Sequence, residues 1–135
     1  MSRPNFVYVL WRASDGAHKI GQSVDPWQRM RTQQAEFGCR MKIVAMLERP
    51  LGDAFNVEQA AHFTLWRHRL DGEWFSAKPK AIFDAIEQAA RDQDIYQFQL
   101  RRLAAVDAIE VEWGRRPTRE EIRELQRQGR VPEHV

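Results

Sequence analysis

The chain has 135 residues, 43% hydrophobic and 30% charged, which suits one packed domain with a short appendage and argues against a disordered chain. Lys and Arg number 21 against 19 Asp and Glu, a net charge of +2 that permits an anionic partner without requiring one. The single cysteine, Cys39, excludes an intrachain disulfide, a CxxC pair and a cysteine-rich zinc site, and the absence of a roughly 20-residue apolar run or a leader cleavage site gives the expectation of a cytoplasmic chain with no membrane partner.

In chain order, Asn5 to Arg12 reads as a strand on its Phe, Val, Tyr, Val, Leu and Trp. Ser14-Asp15-Gly16 is a turn, and Ala17 to Gly21 closes an antiparallel hairpin. Asp25-Pro26 supplies an N-cap and a proline at the first helical position; this helix runs to about Glu36 and ends at Phe37-Gly38. Arg40 to Glu48 alternates as a third strand, with Met41, Ile43, Ala45 and Leu47 on one face. Arg49-Pro50-Leu51-Gly52 breaks the chain before a long helix from Asp53 to Leu70, which Asp71-Gly72 stops. Glu73-Trp74-Phe75 is a short extended piece, and Pro79 opens a helix with Ile82, Ala85, Ile86 and Ala89 on one side. From Asp92 the chain is polar and helical, broken at Gly114 and Pro117, and Thr118 to Glu121 has the form of a capping box. The expected division is a domain over 1–91 and a helical extension over 92–135 with too little apolar area to fold alone.

The Asp53–Leu70 segment carries the first mechanistic clue. Its apolar residues cover most of a helical circumference, so the helix is expected to be largely buried. Glu58, His62 and Arg69 nevertheless share a stripe about 40° wide. A carboxylate in such a helix is either paired, with His62 or Arg69, or directed into a site as a metal ligand. Arg29, at i with Gln33 at i+4 on the preceding helix, reads by itself as a solvated residue.

These pieces fall into a pattern. Phe6-Val7-Tyr8-Val9, then Lys19-Ile20-Gly21-Gln22-Ser23, Pro26, Arg29, Glu58, His62 and Gly72-Glu73-Trp74-Phe75 resemble the GIY-YIG nuclease superfamily over about residues 5–90. The branch it is most similar to has a Lys-Ile-Gly second motif, Ser-x-x-Pro-x-x-Arg, a Glu-x-x-x-His helix and a closing Gly-Glu-Trp-Phe. The resemblance implies an α+β fold, a small three-stranded antiparallel sheet flanked by helices, in agreement with the order of elements above. It implies that Tyr8 is the tyrosine of the first motif, Gly21 the closing glycine of the second, Arg29 the family arginine and Glu58 the metal-binding glutamate. Phe6 replaces the first glycine of the name motif, Lys19 stands at the usual second tyrosine, Gln22 stands where repair-type members have lysine, and the late asparagine of some members has no counterpart.

The implied activity is a metal-dependent endonuclease hydrolysing phosphodiester bonds of nucleic acid, DNA in preference to RNA. Glu58 would hold one divalent ion, Mg²⁺ or Mn²⁺, through oxygen. Arg29 would set a planar charged fork on the phosphate. Tyr8 would be the base; a free phenol titrates near 10, so it needs a cation, and Lys19 on the adjacent strand is expected to supply it. His62, one turn beyond Glu58, would orient a metal-bound water or the phosphate, or cap the core. Without the motif, Tyr8 is a packed strand aromatic and Lys19 an exposed edge lysine. Gly72 to Phe75 reads as structural, with Glu73 turned either to solvent or to the site.

Residues 19–42 carry a local charge of +3, and Lys19, Arg29, Arg31 and Lys42 are the candidate nucleic-acid contacts. Arg115 to Arg130 holds six arginines against three glutamates, either a second backbone clamp or a solvated helix. Leu100, Leu103, Ile109 and Trp113 along the extension suggest a homodimer through the C-terminal helices. The alternative function is a catalytically inactive GIY-YIG-like module that binds nucleic acid or a protein.

Overall fold

The computed structural model describes residues 4–50 and 52–134; Leu51, inside the expected break, lies outside them. The fold is α+β. Strands β1 (Asn5–Arg12), β2 (His18–Ser23) and β3 (Met41–Arg49) form the main antiparallel sheet, and helices α1 (Pro26–Phe37), α2 (Asp53–Thr64), α3 (Pro79–Trp113) and α4 (Arg119–Arg127) complete the regular elements. Two short strands, β4 (Arg69–Asp71) and β5 (Trp74–Phe75), extend the sheet to five in the order β3-β1-β2-β5-β4, beyond the three expected.

Local chemistry accounts for the first elements. Asp15 turns the β1–β2 hairpin, its carboxylate taking two hydrogen bonds of 2.8 Å from Arg12 and one of 3.0 Å from the Ala17 amide. The Asp25 carboxylate caps α1 at the Gln28 amide, with Pro26 at its first turn. Arg12 then locks the hairpin to the far end of α1 and to β5: its guanidinium lies 4.4 Å from the Trp74 ring and 5.4 Å from Phe37.

The sheet packs on both faces. Val7, Val9 and Ile20 meet Ala54, Val57 and Ala61 of α2 and Ile82, Ala85, Ile86 and Ala89 of α3. Tyr8, Leu10, Ala17, Met41 and Trp74 form the second cluster. The β3 residues expected on one face divide between the two. The register of β1 on β3 shifts between Val9 and Leu10, so Met41 and Ile43 join the second cluster while Ala45 and Leu47 join the first. One extra residue in a strand of period two sends the side chains beyond it to the other face.

The expected helix to Leu70 ends at Thr64. A 3₁₀ turn, Trp66–His68, follows, and then β4. Phe63, Trp66 and Leu70 are exposed, at 78%, 61% and 51%, so their hydrophobicity does not extend the buried helix. The chain instead reverses at Gly72, whose φ of 49° suits a residue without a Cβ, and β5 pairs with β2. Hydrogen bonding to an open sheet edge has overridden helical periodicity. Arg69 consequently leaves the Glu58 stripe and lies 6.0 Å from the Phe75 ring.

The chain divides into two compact units between Ala90 and Arg91. In the second, Val106, Ile109, Leu125 and Val131 form a small core against which Trp113 and Ile122 pack, and Thr118 and Glu121 make a complete capping box. Ile109 is thus internal to this unit, whereas Leu100 and Leu103 are exposed. Among the described residues no helix is long and apolar enough to cross a membrane.

Candidate active site

A cleft of about 430 Å³ in the first unit is lined by Tyr8, Gln22, Arg29, Phe55, Glu58, Gln59 and Glu73. Five stretches of sequence meet there: β1, β2, α1, α2 and the β4–β5 turn. Strand β5 pairs with β2 only at His18 and Lys19, and the Ile20 amide donates to the Glu73 carbonyl at 3.2 Å. The turn therefore brings Glu73 to the edge of β2 just where Gly21 begins.

Tyr8 is 1% exposed and faces Gly21 across the β1–β2 pair. Its ring lies over that glycine, and Arg29 lines the same cleft. Burial pushes the phenol above 10.0; Arg29 opposes this, and the charges of Glu73 and Glu58 add to it. The cation serving Tyr8 is thus Arg29 from α1, not Lys19 as expected. Lys19 is buried, and its Nζ lies 3.4 Å from Glu73 Oε2. Cross-strand geometry is the reason: Lys19 stands opposite Leu10, beside the Trp74 end of the turn, while Tyr8 stands opposite Gly21.

Glu58 is 3% exposed and points into the cleft from α2. Burial, with the charge and a hydrogen bond of Glu73, pushes its carboxyl up to about 8, and Lys19 and Gln59 only partly offset this. His62 sits beside it, Nε2 to Oε1 3.8 Å, but the closer partner of that nitrogen is the Ile20 carbonyl at 2.7 Å. Burial lowers the imidazole, so it is neutral and donates from Nε2. His62 therefore ties α2 to β2 and positions Glu58.

The arrangement brings Tyr8, Arg29 and Glu58 into one cleft, with Lys19 reaching it through Glu73 and His62 behind Glu58. Arg31 and Lys42 do not line it; Arg31 is exposed on α1, and Lys42 lies over the Trp11 ring at 5.5 Å. The C-terminal arginines are largely engaged within their own unit. Arg115 pairs with Glu121, Arg116 with Asp107 and Glu110, Arg127 with Glu124, and Arg130 with Glu112. Of the lining residues, Phe55 and Gln59 carried no signal of a site in the sequence; the Asn5 amide donates to Gln22 Oε1 at 2.9 Å and so fixes its side chain. The only signal for Glu73 was its place in Gly-Glu-Trp-Phe.

Among the described residues no group of three or more His, Cys, Asp or Glu side chains is placed to hold a metal. The donors in the cleft are two carboxylates, with no thiolate, and the nearest imidazole nitrogen already serves a backbone carbonyl. That set fits a hard, oxygen-seeking cation that keeps several waters.

Fold and cleft together define the class: a small α+β domain with a mixed-charge polar cleft at the open edge of its sheet. The model of the T5orf172 domain matches residues 5–90, and the chain belongs to that family. Comparisons with curated proteins and with solved structures returned no match.

Proposed function

We propose that the chain is a metal-dependent endonuclease of the GIY-YIG type, acting on phosphodiester bonds of nucleic acid, DNA in preference to RNA. The observation that carries this reading is the convergence of Tyr8, Arg29 and Glu58, from three separate elements, on one cleft. A divalent ion, Mg²⁺ or Mn²⁺, held at Glu58 would polarise the phosphate and stabilise the charge on the leaving oxygen. Arg29 extends its guanidinium beside Tyr8 and would bind the phosphate oxygens while fixing the phenol. Tyr8 Oη rests protonated. Burial raises it most and the charges of Glu73 and Glu58 add to this, so a cation that offset those charges would lower the phenol in the same sense as Arg29, against the effect of burial. Tyr8 would then accept the proton of the attacking water. His62 keeps Glu58 aimed through Ile20.

The test is incubation of the full chain with single- and double-stranded DNA and RNA, with and without Mn²⁺. Manganese-dependent cleavage lost in Glu58→Gln supports the reading; cleavage undiminished in that variant removes Glu58 from the site. The upward push on Tyr8 favours one second reading, a nucleic-acid-binding module without catalysis. Retained binding with no cleavage under any divalent ion would select it.

A further inference from the structure

We propose that Glu73 is a second ligand of the divalent cation, so that the metal is gripped by a carboxylate pair, one member from α2 and one from the β4–β5 turn. This rests on the endonuclease reading and deepens it.

Glu73 is placed, not free to wander. Its carbonyl takes the Ile20 amide at 3.2 Å, in the same residue whose carbonyl holds His62 at 2.7 Å. One residue of β2 thus positions both carboxylates, Glu58 through α2 and Glu73 through the turn. The Glu73 side chain lines the same cleft as Glu58. Its other neighbour is Lys19, at 3.4 Å.

In the metal-free chain the proton held on Glu58 relieves the pair, and a divalent ion would replace that proton. Two carboxylates share one ammonium, and Arg29 is turned to Tyr8. Once that proton is lost the two carboxylates repel each other, and Lys19 offsets only one of them. A divalent ion between hard oxygens removes the conflict and gains a second anchor. Glu73 is also the more accessible of the pair, its side chain 42% exposed against 4% for Glu58. The cation would enter past Glu73, and Lys19 would compete with it for that carboxylate.

The experiment is Mn²⁺ binding to the full chain without nucleic acid, by calorimetry and by the electron paramagnetic resonance signal of free Mn²⁺. Glu73→Gln should weaken binding by about tenfold or more, as should Glu58→Gln, and Glu73→Asp should recover part of it. Lys19→Met, which removes the competitor and keeps both carboxylates, should tighten binding. A folded Glu73→Gln, verified by circular dichroism, that binds Mn²⁺ like the wild type overturns the proposal. Should Glu73→Gln not fold, Lys19→Met decides: unchanged or weaker binding overturns it. Wild-type cleavage with Mn²⁺ alongside unaltered binding by Glu73→Gln sinks the Glu73 assignment alone. A wild type that binds Mn²⁺ through both glutamates yet cleaves nothing sinks the endonuclease reading alone, and one that binds no Mn²⁺ sinks both.

Discussion

The Tyr8 ring crosses Gly21 so closely that a Cβ built on the glycine would stand 2.6 Å from both Cζ and Oη of the tyrosine. The phenol reaches the cleft only because the residue opposite it on β2 has no side chain. The need is one of space: Gly21 is absent from the glycines of positive φ, so backbone conformation does not demand it.

Gly21→Ala should therefore cost about 1–3 kcal/mol of stability, the usual price of forcing an extra methyl into a packed core. It should also displace the Tyr8 hydroxyl from Arg29. Denaturant unfolding of Gly21→Ala, Tyr8→Ala and the double variant checks the cause. Once the ring is gone the alanine has room, so the double variant should be about as stable as Tyr8→Ala alone. Fully additive losses would place the strain elsewhere.

Tyr8→Phe should lower cleavage by roughly 10²- to 10⁴-fold, the range for a lost general base. Arg29 draws the phenol down, so Arg29→Lys should move the rising limb of the pH–rate profile to higher pH. Lys19→Met, at saturating Mn²⁺, should leave that limb in place, because Lys19 faces Glu73 and not Tyr8. An unshifted limb in Arg29→Lys, or a fully active Tyr8→Phe, would remove the tyrosine base.

Glu58 makes the metal-free protein sensitive to alkali. Its carboxyl, raised from 4.5 to about 8, holds a proton in the folded chain that the unfolded chain has released. Its contribution to stability is complete below about 4.5 and is lost as pH rises toward 8. Melting temperatures of wild type minus Glu58→Gln should fall across that window. Added Mn²⁺ should flatten the fall at the upper end, since the ion displaces the proton. A difference independent of pH would mean that Glu58 is ionised throughout.

Arg12 should behave as a lock with the opposite pH sign. Its hydrogen bonds hold Asp15 at about 2, below the usual 3.8, so this contribution is present above about 3.8 and lost as pH falls through 2. Arg12→Met also removes the contacts with Trp74 and Phe37 and should cost about 1–2 kcal/mol at neutral pH. Unfolding curves at pH 7 and pH 2 would show the loss shrinking with acid; an equal loss at both would leave only packing as its source.

Much of the architecture was legible in the sequence because it rests on local chemistry. Asp15-Gly16 turns the hairpin, Asp25-Pro26 starts α1, and Thr118 with Glu121 starts α4, each through atoms within three residues of one another. The roles of Tyr8, Arg29 and Glu58 came from the resemblance to a known family; by themselves Tyr8 read as a packed strand aromatic and Arg29 as a solvated residue. What the chain order cannot carry is which faces meet. The bulge that splits β3 between two cores depends on the register against β1, and the end of α2 at Thr64 depends on an open edge of β2 that captures Trp74 and Phe75. The same capture moves Glu73 into the cleft and draws Lys19 to it, leaving Tyr8 to Arg29. Partner choice among charges is settled by a few ångströms of cross-strand offset, and only the assembled sheet supplies them.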